Sequence, residues 1–112
     1  MAYRMRAKMG VEVMRFPGDL DAGQMVKIKN RLSRLLKKNR KKLLLDLSET
    51  RRVELAGIGI LIDRLRKVRS VKGDIKFCNI RPEVEKILEM IGINHLIESF
   101  RSEEEAIQSF AA

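Results

Sequence analysis

The chain is poor in the residue types that most often carry chemistry in small proteins. Its 112 residues include one cysteine, one histidine and no tryptophan. Cys78 has no second cysteine for an internal disulfide, and His95 has no companion for a metal site built from Cys and His. We therefore expect no metal, a buried and inert Cys78 inside a strand, and His95 at the surface or at the edge of the core.

Long apolar runs and phosphate-binding glycine motifs are also missing. No stretch approaches the length of a membrane span, and the N-terminus lacks the apolar core of a secretory signal. Gly57-Ile58-Gly59 lacks the third glycine of a dinucleotide fingerprint, and no Gly-Lys-Ser/Thr loop occurs. The sequence thus predicts a cytoplasmic protein without membrane insertion, without a cofactor and without catalytic residues.

Positive charge is what the chain has in excess. Twenty-four Lys and Arg face fifteen Asp and Glu, which gives a formal net charge of +9. Two interpretations are open: a negatively charged partner, or the charge-rich surface typical of heat-adapted proteins. A candidate anion patch comprises Lys37, Lys38, Arg40, Lys41 and Lys42. Nucleic acid is an alternative partner that the sequence does not favour, because four Phe, one Tyr and no Trp offer no visible platform for stacking bases.

Apolar periodicity predicts a single domain of alternating strands and helices. Alternating residues at 3–9 indicate a strand with one buried face, and Gly10 permits a tight turn into a second strand at 11–16. Later strands are predicted at 43–47, 74–79 and 96–100. Helices are predicted at 22–39, 57–69 and 84–90, and a last helix is predicted to end near residue 110. The crossover from the third strand to the fourth requires parallel pairing. The expected fold is α/β, with a mixed, mostly parallel sheet of about five strands and four helices.

Two helix starts carry recognisable caps. Asp21 can accept the free amide hydrogens of the first helix, with Gln24 reaching back, and Ser102 with Glu105 forms a capping box for the last helix.

Several short motifs follow one another in a characteristic order. They are Gly18-Asp19-Leu20-Asp21, Asp46-Leu47-Ser48, Gly57-Ile58-Gly59, Ile91-Gly92-Ile93 and residues 102–106. Together they resemble the STAS family, the domains of bacterial anti-sigma factor antagonists and of sulphate transporter tails, over about residues 11–107. The resemblance implies a non-enzymatic module whose protein partner is an anti-sigma factor with serine-kinase activity.

The resemblance also singles out residues 54–59. In the family this stretch usually reads Asp-Ser-Ser-Gly-Leu-Gly, and a partner kinase phosphorylates the second serine. Here it reads Glu54-Leu55-Ala56-Gly57-Ile58-Gly59, so Ala56 holds the phosphoacceptor position without a hydroxyl. The predicted partner-binding surface comprises Asp19, Asp21, Ser48, Glu49, Thr50, Glu54, Leu55, Ala56, Gly57, Ile58 and Gly59.

Three consequences of the missing hydroxyl stay open. The domain is an always-active antagonist, or it is modified at Ser48 or Thr50 instead, or it works outside a sigma circuit, for example as a transporter subunit. A homodimer is a further alternative. We also expect Glu54 to cap the helix, and Gly57 and Gly59 to leave room for a partner, so that Gly57→Trp weakens binding while the fold stays intact.

Overall fold

A computed structural model describes residues 4–111, and Tyr3 of the predicted first strand lies outside them. A five-stranded sheet has the order β1-β2-β3-β4-β5. The strands are β1 Arg4–Lys8, β2 Val11–Arg15, β3 Lys42–Asp46, β4 Asp74–Cys78 and β5 Ser99–Phe100. β1 pairs antiparallel with β2, and the other three pairings are parallel. The predicted hairpin and the mixed, mostly parallel sheet are confirmed.

Four α-helices pack on the sheet; the first three connect successive strands and the fourth follows β5. They are α1 Ala22–Lys37, α2 Leu55–Ser70, α3 Pro82–Ile91 and α4 Glu103–Ala111. Asp21 and Ser102 both act as N-caps, as predicted: Asp21 Oδ1 accepts the amide hydrogen of Gln24 at 2.8 Å, and Ser102 Oγ accepts that of Glu105 at 3.2 Å. No helix within residues 4–111 combines the length and apolarity needed to cross a bilayer.

Side chains on the two sheet faces form separate clusters. On one face, Met14, Leu45 and Phe77 pack with residues of α1, α2 and α3. On the other face, Val13, Leu44 and Cys78 pack with α4. Burial raises the pKa of the Cys78 thiol to about 12, so the thiol stays protonated at neutral pH. The predicted burial of Cys78 is confirmed, and His95 is exposed.

Two expectations for the sheet edges are wrong. The fifth strand is limited to Ser99–Phe100, because Gly92, in the left-handed conformation with φ +89°, ends α3 and leads into a 3-10 turn over Ile93–His95. The first strand does not bury one whole face. Met5 is half-buried, but Ala7 is exposed and Met9 is 75% exposed, since Met9 belongs to the tight turn at the end of an edge strand.

Candidate functional site

Two helix starts meet at one edge of the sheet, beyond the carboxyl ends of β2 and β3. Residues 16–21 lead from β2 into α1, and residues 47–54 lead from β3 into α2. The exposed residues of the second segment and of the first turns of α2 form what we call the helix-start surface. It comprises Glu49, Arg51, Arg52, Glu54, Leu55, Ala56 and Gly59.

Backbone hydrogen bonds hold the two segments together. The amide of Leu20 donates to the carbonyl of Arg52, and the amide of Glu54 donates to the carbonyl of Leu20, both at 3.0 Å. These bonds make a one-residue parallel bridge between Leu20 and Val53. Asp19 Oδ1 accepts the amide hydrogen of Arg52 at 3.0 Å. The starts of α1 and α2 are therefore fixed relative to each other before any partner arrives.

Gly57, the third residue of α2, is buried against this bridge. A Cβ at Gly57 would lie 2.7 Å from the carbonyl oxygen of Leu20 and 3.2 Å from that of Asp21. The glycine thus permits close packing of α2 on the segment before α1, and the expectation that it leaves room for a partner is wrong. Gly57→Trp cannot leave the fold intact. Gly59 differs, because it is exposed and a Cβ there would meet nothing within 4 Å.

The hydroxyl of Thr50 and the backbone amide of Ser48 both stabilise the turn before α2. Thr50 is fully buried, and its Oγ1 donates to the carbonyl of Gly18 at 2.9 Å. Ser48 is half-buried, and its amide donates to Asp46 Oδ1 at 2.9 Å. Ile58 is 3% exposed and belongs to the core. Thr50, Gly57 and Ile58 therefore support the predicted partner surface from beneath and do not form part of its exposed area.

The first residues of α2 are the exposed part of the site. Leu55 is 72% exposed, and Glu54 and Ala56 are exposed beside it. Glu54 occupies the N-cap position, but no side chain caps α2, so the predicted capping role of Glu54 is wrong. Its Oε1 lies 3.4 Å from the amide nitrogen of Ala22 in α1, because a glutamate side chain is long enough to reach the neighbouring helix. The first amides of α2 therefore have no side-chain cap from Glu54 and lie at a solvent-facing surface.

Three arginines that were not among the predicted site residues contact the segment between β3 and α2 or the end of β3. Arg81 Nη1 donates to the carbonyl of Ser48 at 3.2 Å, and Arg15 Nε donates to the fully buried Asp46 at 3.1 Å. Arg4 pairs with Glu49 at 3.2 Å. The Arg81-Pro82 dipeptide was a usable signal, because it starts a helix after β4 and so places Arg81 at the same sheet edge.

The candidate anion patch lies elsewhere. Lys37 and Lys38 end α1, and Arg40, Lys41 and Lys42 lead into β3, so the patch sits at the amino end of that strand and the helix-start surface at its carboxyl end. Throughout residues 4–111, no three His, Cys, Asp or Glu side chains are grouped so that they could hold a metal ion.

Comparisons with known proteins identify the family and the fold. The STAS domain model matches residues 2–106. An anti-sigma F factor antagonist of Paenibacillus polymyxa is 20% identical over 108 residues, which cover 96% of this chain and 92% of that protein. A crystal structure described as a candidate anti-sigma factor antagonist of Thermotoga maritima has a TM-score of 0.89 at 16% identity, covering 98% of this chain and 95% of that one. The structure of the anti-sigma factor antagonist SpoIIAA in its unphosphorylated form has a TM-score of 0.83 at 21% identity, covering 98% of this chain and 96% of that one. The chain belongs to the STAS domain family.

Proposed function

We propose that this anti-sigma factor antagonist-like domain is a cytoplasmic, non-enzymatic module that binds an anti-sigma factor of the serine-kinase type through the helix-start surface. Leu55 supports the proposal. A leucine that is 72% exposed at a rigid helix start gains apolar burial only when another molecule covers it. The bridge between Leu20 and Val53 holds this surface in place, so little ordering is needed on binding.

The distribution of hydroxyl groups carries the regulatory part of the proposal. From Glu49 to Gly59 the only hydroxyl side chain is that of Thr50, which is buried and bonded to Gly18. Ala56, the second residue of α2, is exposed and has no oxygen. A kinase that approaches the helix-start surface therefore meets no accessible acceptor between these residues.

A phosphate at position 56 would have strong electrostatic consequences. It would sit at the start of α2, where uncapped amides and the helix dipole favour negative charge. Nearly two negative charges in an interface centred on Leu55 would also add a desolvation cost for the partner. Because Ala56 cannot be modified, we propose that the domain docks without this off-switch.

Ala56→Ser tests the assignment of position 56. Incubation of this variant with ATP and a purified anti-sigma factor kinase is expected to add one phosphate, because the new hydroxyl is exposed and lies beside the uncapped start of α2. Intact-mass measurement, followed by peptide mapping, detects the added phosphate and its position.

Gly59→Ser is the matched control, since it adds an exposed hydroxyl to the next turn of the same helix. The control and the unaltered chain are both expected to keep their mass. Phosphate on the unaltered chain would refute the proposal. An Ala56→Ser chain that binds the kinase but stays unmodified would refute the assignment of position 56.

A further inference from the structure

A second surface lies at the opposite edge of the sheet, where β2, β3 and β4 begin. Three connections meet there, residues 8–10, 37–42 and 69–74, and we call this region the basic pole. It contains a single acidic residue, Asp74. Its basic residues are Lys8, Lys37, Lys38, Arg40, Lys41, Lys42, Arg69 and Lys72.

Contacts between the connections show that the pole is one continuous surface. The amide of Asp74 donates to the carbonyl of Lys41 at 3.0 Å. A Cβ at Gly73 would lie 2.6 Å from the Cβ of Lys41, so these two connections touch. The turn at residues 8–10 directly precedes β2, which pairs in parallel with β3 and therefore starts beside it.

Most of the positive charge at the pole is not neutralised within the protein. Arg40 pairs with Glu12, and Arg69 pairs with Asp74 at 3.0 Å. The six lysines form no ion pair with any residue of 4–111, and five of them are exposed, Lys41 being half-buried. A surface with this charge attracts a partner that carries many negative charges.

Exposed apolar side chains lie among these lysines. Met9 is 75% exposed and Val71 is 45% exposed. Leu96, 43% exposed, adjoins the pole because its carbonyl accepts a hydrogen bond from Arg69 Nη2 at 2.5 Å. Both tips of the flanking turns use left-handed backbone, with φ +52° at Met9 and φ +66° at Lys72. Asn or Gly adopts that conformation at lower cost, so the turn geometry does not itself favour methionine or lysine at these tips.

We propose that the basic pole adsorbs to the anionic surface of a phospholipid bilayer. The lysines would lie at the level of the headgroup phosphates, and Met9 would enter the boundary between headgroups and acyl chains. A nucleic acid fits this surface less well, because Met9 and Val71 would be placed against phosphates and the pole has no aromatic side chain for stacking.

Adsorption by the pole leaves the helix-start surface free. The domain measures 32 × 27 × 27 Å along its principal axes, and charges at physiological salt are screened over about 8 Å. The two surfaces lie at opposite ends of the parallel strands, so a bilayer at one end does not compete with a protein at the other. The inference therefore goes beyond the proposed partner binding and does not depend on it.

Vesicle sedimentation tests the inference with the whole chain. Vesicles of phosphatidylcholine alone are compared with vesicles that also contain phosphatidylglycerol, over a series of salt concentrations. We expect binding only to the anionic vesicles, with a steep fall as salt rises.

Variants of the pole are chosen so that loss of binding is not loss of folding. Lys72→Asn suits the left-handed backbone, and Lys38 is an exposed helix-end residue that Gln can replace. Together these two changes are expected to lower the partition coefficient about thirtyfold, at about 1 kcal/mol for each lysine. Met9→Asn, which suits the turn, is expected to lower it about threefold through the lost apolar contact.

The matched control is Lys27→Gln with Lys86→Gln, which removes two exposed charges from the middle of α1 and α3. It is expected to change the partition coefficient less than about twofold. The inference is overturned if the unaltered chain ignores anionic vesicles at low salt, or if the control loses as much binding as the pole variant. Equal retention on neutral vesicles, or tighter binding to duplex nucleic acid than to anionic vesicles, overturns it as well.

Discussion

Leu55→Asp is expected to weaken binding of the anti-sigma partner at least about thirtyfold, a loss typical of a central contact residue. The substitution removes the large exposed apolar side chain of the helix-start surface and puts an unpaired charge into the interface. The fold should not suffer, because Leu55 packs little within the protein. An aspartate at the first residue of α2 also interacts favourably with its uncapped amides, by about 0.3–1 kcal/mol. Titration calorimetry and thermal melting of the same sample separate the two effects.

Met90→Asp is the matched control for this experiment. Met90 is 87% exposed near the end of α3, away from both helix starts, so the change again converts an exposed apolar residue to aspartate. Its partner affinity should equal that of the unaltered chain. If Leu55→Asp binds as tightly as Met90→Asp, the partner does not dock on the start of α2.

Gly57→Ala is expected to lower the free energy of unfolding by about 1–3 kcal/mol, whereas Gly59→Ala raises it by about 0.5–1 kcal/mol. The two glycines lie two residues apart in α2, so helix propensity favours alanine equally at both. They differ in their surroundings, because a methyl group at Gly57 would press on the carbonyl oxygen of Leu20, while one at Gly59 meets open space. Each kcal/mol should shift the melting temperature by about 4–8 °C in a domain of this size.

Opposite signs for the two alanine variants are the informative result. A Gly57→Ala chain that melts at or above the temperature of the unaltered protein would show that α2 can move away from residues 20–21. The rigid bridge between the helix starts would then not exist in solution.

Local sequence patterns were sufficient to predict most helices and strands and the pairing of the strands. The alternation before Gly10 predicted the hairpin, and the crossover from β3 through α2 to β4 predicted parallel strands. Asp21 and Ser102 were read correctly as caps, because a cap acts on amides two or three residues away in sequence. The family motifs predicted that residues 54–59 follow the third strand and open the second helix, and α2 begins at Leu55 after β3.

The errors within the site concern contacts between segments distant in sequence. Gly57 was predicted to leave room for a partner. The packing of α2 on Leu20 shows that the protein's own backbone occupies the space beside this glycine. Glu54 looked like a cap for α2, but its carboxylate extends to Ala22, thirty-two residues earlier. The anion patch at 37–42 was visible in sequence. That the patch lies beside residues 8–10 and 69–74 depends on the order of the strands in the sheet, which the apolar periodicity of the sequence does not encode.

The affinity of the unaltered chain for a purified anti-sigma factor kinase, measured with and without ATP, is the most direct test of a docking surface that has no off-switch. We expect the two dissociation constants to agree within about twofold, with no phosphate on the chain by intact mass. A large fall in affinity with ATP, accompanied by one phosphate on this chain, would contradict the proposed mode of action.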